Sequence, residues 1–167
     1  MTQQELLVEQ FNDTRDWTKK LLADIHGDDW FFQPAPGLAH AVFLAGHLAV
    51  SQDLLIHTRC LKAPILDDSF KKHFPIGKPV PSVVEYGFPS VAAILATMDD
   101  VHEQTMEIIR TMNDSLLAEP AFAADGKSPH PHYKDKRGAV SHCARHEAFH
   151  AGQIAMIRRL LGKPFLR

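Results

Sequence analysis

Cysteine is scarce in this chain. Cys60 and Cys143 are the only two in 167 residues. Two cysteines cannot build a disulfide framework, so a reducing, cytoplasmic interior is expected, with both thiols as small buried groups. An excess of one charge is also missing. The formal net charge is −2 and the isoelectric point lies near 6.6. Nothing electrostatic therefore favours nucleic acid or an anionic membrane as a partner. No apolar run approaches the roughly 20 residues of a membrane helix. The opening Met1-Thr2-Gln3-Gln4-Glu5 lacks the basic and apolar regions of a secretion signal. Strand-like alternation of useful length, internal repeats, a Walker loop and a dinucleotide-binding glycine pattern are all absent from the sequence.

What is present reads as helix. Hydrophobic residues make up 45% of the chain, enough for one globular domain over 1–167. A first helix is predicted over 2–25. Thr2 and Glu5 have capping-box spacing, Leu7, Phe11, Thr14, Thr18, Leu21 and Ile25 form a seam, and Gly27 stops the helix. Each seam threonine is expected to bond a carbonyl one turn back. Trp30, Phe31 and Phe32 sit in a proline-broken connector and are expected to cover one end of the core. A second helix, over 38–61, carries His40, Phe43, His47, Val50, Leu54, His57 and Leu61 on its seam. A third, over 89–112, begins at Pro89 and carries His102 as a structural residue. A fourth, over 136–161, ends at Gly162 with Arg158 and Arg159 in its last turn.

The connections are uneven. Residues 62–88 hold four prolines and are too long for a tight turn between antiparallel neighbours. A crossover that leaves helices two and three parallel is the natural reading in a four-helix bundle. Residues 113–135 form a second connector, in which His130-Pro131-His132 reads as a proline-stiffened exposed loop.

Histidine is the residue in surplus, with eleven. Helix four carries His142, His146 and His150, each four from the next. Successive members lie about 40° apart around the axis and about 6 Å along it. Neighbours can share one metal ion, but the outer pair, about 12 Å apart, cannot. One pair plus a ligand from elsewhere is therefore expected, and His47, embedded in an apolar seam, is the candidate. Three neutral imidazoles would leave coordination positions open and acidify a bound water toward pH ~7. Such a ligand set suits Zn, Ni, Fe or Co.

Gly46-His47-Leu48, the stretch from His146 to Ile154 with its H-x-x-x-H-x-G-Q-I order, and the following Arg158-Arg159-Leu160-Leu161-Gly162 resemble the DinB-like metal-binding superfamily. The resemblance spans nearly the whole chain. It implies an all-α, four-helix bundle running up-down-down-up, often homodimeric. It implies metal ligands at His47, His146 and His150, and leaves His142 as a pocket residue. It also implies metal-dependent addition of a low-molecular-weight thiol to an electrophile, or thiol-linked isomerisation; the expected activity is thiol transfer or small-molecule hydrolysis, through metal-bound thiolate or water. The alternative is a non-catalytic metal-binding or stress-response bundle. His146-Glu147-x-x-His150 has the zincin form, which would make Glu147 a candidate base. Residues 151–167 contain no His, Glu, Asp or Cys, so the common protease layout lacks its third ligand. The other expectation for Glu147 is a surface helix position.

Overall fold

The computed structural model describes residues 1–84, 86–123 and 125–166. Helix α1 spans Gln3–Leu22. Its capping box forms as predicted: Glu5 N donates to Thr2 Oγ1 at 3.1 Å, and Thr2 N donates to the Glu5 carboxylate at 2.7 Å. Two otherwise orphaned donors are thereby satisfied. Helix α2 begins at Ala41, and the His40 imidazole caps it by accepting from Phe43 N at 3.1 Å. It runs as α-helix over Ala41–Gln52, widens to a π-helix over Asp53–Thr58, and resumes over Arg59–Leu61. Helix α3 spans Val91–Thr111, capped by Ser90, so Pro89 stands just outside the first turn. Helix α4 spans Lys136–Leu160, capped by Asp135. Among the described residues no strand forms, and no helix is long and apolar enough to cross a membrane.

Side-chain bonds between helices give the direction of each. Arg15 reaches Glu147 and Asp24 reaches Arg158, so α1 and α4 run parallel. Gln4 reaches the Ile109 carbonyl and Lys19 reaches Asp99, so α1 and α3 are antiparallel. Gln52 meets His102 and His57 meets Thr105, so α2 and α3 are parallel. The bundle is therefore up-down-down-up. The length of the crossover serves to return the chain to the end from which α2 began.

That crossover is anchored to α2 at two points. The first is the buried Asp53, which accepts from Ile65 N at 2.8 Å and pairs with Lys71 at 2.9 Å. The second is Phe74, whose ring end abuts Gly46. A Cβ on Gly46 would come within 2.1 Å of that ring, so only glycine fits. Phe74 is 1% exposed and joins Phe43, Val80 and Ile94 in the core.

The core has two apolar halves. One gathers Leu21, Trp30, Leu44, Met98 and Ile154; the other gathers Phe11, Leu55, Met106, Ile109 and Val140. Between them each helix contributes polar residues: Arg15 and Thr18, Ser51 to Asp53, His102 and Thr105, and His146 to His150. A polar layer thus crosses the middle of the bundle. The Thr18 hydroxyl donates to the Thr14 carbonyl at 3.0 Å, the expected back-bond.

Several expectations shift. In the second-helix seam Leu54 is only half-buried, while Asp53, Leu55 and Ile56 are buried. The π turn has more than four residues per hydrogen-bonded loop, so it rotates the residues after it out of a 3.6-residue register. In the aromatic connector Trp30 covers the core, but Phe31 is 41% exposed. His130 is buried rather than in an exposed loop: its Nδ1 accepts from the backbone N–H groups of His132 and Tyr133, each at 3.1 Å.

Candidate metal centre

Histidines on α2 and α4 face each other in the polar layer. His146 and His150 share one face of α4, as four-residue spacing requires. His47 enters from α2. His47 Nε2 and His146 Nε2 lie 3.4 Å apart, and His146 Nε2 and His150 Nε2 lie 3.1 Å apart. Across the trio, one nitrogen from each residue falls within 4.8 Å of the others. His47 is buried, while His146 and His150 are half-buried, so the cluster opens toward solvent on the α4 side.

Each ring is held differently. Gln153 Oε1 lies 2.6 Å from His150 Nδ1 and accepts its proton, which leaves the His150 Nε2 lone pair facing the other two rings. His47 is placed by packing. Phe43 stacks on it at 5.7 Å with planes 11° apart, and its Nδ1 is buried without a partner among the described residues. Ser51 Oγ lies 3.3 Å from His47 Nε2. Burial, with the neighbouring imidazoles adding to it, lowers the pKa of His47 to about 4 and of His146 to about 3. Burial lowers that of His150 as well. The rings are therefore neutral near pH 7, the form that donates a lone pair to a metal.

This donor set fits a divalent ion of borderline softness. Three neutral nitrogens converge, no carboxylate among the described residues joins them, and one ring is oriented through its far nitrogen. His142 stays outside the trio: its ring lies 5.9 Å from that of His146 and 4.8 Å from that of Tyr133. His102 meets Gln52, and His40 caps α2.

Glu147 departs from the surface position that one expectation gave it. It is buried, not a surface residue, and both of its oxygens accept from Arg15, at 2.8 and 3.0 Å. Arg15, 2% exposed, also donates to Gln52 Oε1 at 2.8 Å and to the Met98 carbonyl at 2.7 Å. The Glu147 carboxylate is committed to closing this network. Arg15 does not stand out in the sequence because Thr14 also fits the seam. The signal that could reveal it is spacing, since Leu7, Phe11 and Arg15 are four apart. A surface hollow of about 470 Å³ between α1 and α3, lined by Glu9, Asp13 and Arg110 among others, gathers no such converging donors. We place the candidate site at the trio.

A four-helix bundle with a crossover and a three-histidine cluster between α2 and α4 defines a class of protein. The sequence pattern of the DinB superfamily matches residues 10–154, and the chain belongs to that superfamily. Among the solved structures that share the fold are two bacterial proteins. One, from Bacillus subtilis, is described as "YfiT from Bacillus subtilis is a probable metal-dependent hydrolase with an unusual four-helix bundle topology". It superposes with a TM-score of 0.67 at 15% identity, over 96% of this chain and 89% of that one. The other is a conserved protein from Enterococcus faecalis, with a TM-score of 0.67 at 16% identity, over 98% of this chain and 99% of that one. No curated protein matches the chain.

Proposed function

We propose that the protein is a metal-dependent enzyme acting on a small molecule, with a divalent transition ion held by His47, His146 and His150. The observation that carries this reading is the convergence of three neutral imidazole nitrogens within 4.8 Å on two helices. A divalent ion there would supply Lewis acidity, making water or a thiol nucleophilic at neutral pH. The chain's own residues do the positioning. Gln153 holds His150 with its lone pair forward, Phe43 stacks His47 into place, and the Arg15–Glu147 pair locks α4 against α1 beside the site. Glu147 is a positioning residue in this reading, not the base.

Water as attacking group makes the reaction hydrolytic; a low-molecular-weight thiol makes it an S-transfer. The description of the Bacillus relative as a probable metal-dependent hydrolase supports the first arm. Protein purified without a histidine tag should carry about one transition metal per chain. His150→Ala should lose it while keeping its helical circular dichroism. A screen of ester, amide and thiol–electrophile substrates, with and without metal, then separates the arms. Absence of metal with no uptake on titration would remove the proposal. Uptake without turnover in any arm would leave a non-catalytic binder.

A further inference from the structure

A second cluster lies three ring contacts from the trio. His130 stacks on Tyr133 at 4.3 Å, Tyr133 meets His142 at 4.8 Å, and His142 meets His146 at 5.9 Å. At its far end His130 Nε2 faces Arg59 Nη1. The proton on His130 can be placed. Its Nδ1 accepts two backbone N–H groups, so that nitrogen carries a lone pair and the hydrogen sits on Nε2. Arginine has no acceptor. Two donors therefore point at each other with no acceptor between them. The Nε of Arg59 is buried and also without a partner among the described residues.

The surroundings have one sign. Beyond burial, the permanent charges acting on these rings are cationic: Arg59 on His130, and Arg145 and Arg59 on His142. Among the described residues neither Arg59 nor Arg145 pairs with a carboxylate. The two halves are also pre-positioned by the backbone. Phe122 N donates to the Arg59 carbonyl at 2.9 Å, and His130 N donates to the Ala121 carbonyl at 2.9 Å. Unpaired buried donors are costly, and an oxygen bridging both would satisfy them.

We propose that Arg59 and the Nε2–H of His130 form a binding subsite for an oxyanion, the carboxylate or phosphate group of a small molecule. That this molecule is the one handled at the histidine trio rests on the metal-enzyme reading; that an oxyanion binds at Arg59 does not.

The test uses full-length, metal-free protein, with inorganic phosphate and malonate as separate probes and chloride at equal ionic strength as the blank. Imidazole and guanidinium N–H resonances are followed by NMR. Saturable shifts at Arg59 and His130 are expected, and the tighter of the two probes identifies the group. His130→Asn keeps an acceptor for the two backbone N–H groups while deleting the Nε2–H. Arg59→Gln deletes the cation. Each should weaken binding at least tenfold. His150→Ala should leave the anion affinity within twofold, so loss of the metal site and loss of the subsite read out separately. Shifts that never saturate, or full affinity in either His130→Asn or Arg59→Gln, overturn the proposal.

Discussion

The Arg15 network and the histidine trio lie side by side in the polar layer and share α4, yet they are built to opposite rules. Around Arg15 the donors end on acceptors: two carboxylate oxygens, an amide oxygen and a main-chain carbonyl. In the trio, nitrogens face nitrogens 3.1 and 3.4 Å apart, with a lone pair on His150 turned inward. A closed network serves the fold, because every buried charge is compensated. A cluster of converging lone pairs is completed by a cation. The comparison predicts that breaking the first costs stability and breaking the second costs binding.

The largest effect is expected from Glu147→Ala, which strands the buried Arg15 guanidinium. Urea denaturation should show a loss of about 3–5 kcal/mol. A wild-type midpoint would mean that Arg15 reaches water and that the network is not closed. Gly46→Ala comes next. The added methyl meets the Phe74 ring, and a loss of roughly 1–3 kcal/mol is expected from overpacking. Restoring space with Phe74→Leu in the same chain should recover part of it, which a calorimetric series would check. Gln153→Ala acts on the open cluster alone. It should weaken metal binding roughly 10- to 100-fold by titration calorimetry, with an unchanged denaturation midpoint.

A last effect is read from pH dependence. Burial lowers His57 below the ordinary value of 6.5, and burial, with Arg15 adding to it, lowers His102 to about 3. Both are neutral in the fold and gain protons more readily when unfolded. Their contribution is therefore full above pH 6.5 and declines as the pH falls below it toward the folded values. Metal-free protein should lose melting temperature over that range, and His102→Gln should flatten the slope. An equal slope in the variant would place the proton uptake elsewhere.

Much of the bundle was legible in the residues. The capping box at Thr2, the glycine and prolines around the helix ends, and the three-four seams all work within one or two turns, where neighbours in sequence are neighbours in space. His47 was conspicuous because Phe43 and Val50 flank it on an apolar face. Arg15 and Glu147 were not legible. Arg15 sits beside a seam that Thr14 also fits, and Glu147 reads as a candidate base or a surface position; what buries them is a partner 132 positions away. The π turn at Asp53–Thr58 was hidden for a similar reason: no residue type announces it. His130 gave no sign either, since its role depends on Arg59 at the end of another helix.

By itself the sequence determined four helices, the parallel run of α2 and α3 through a long crossover, and the shared face of His146 and His150. These features result from helical period and chain length. The tertiary structure alone decided that His47 Nε2 comes within 3.4 Å of His146, that Glu147 closes on Arg15, and that two donors meet at Arg59. Period sets the angle of a side chain about its own axis. The distance between axes is set by the side chains that pack between helices, which no spacing within one helix encodes.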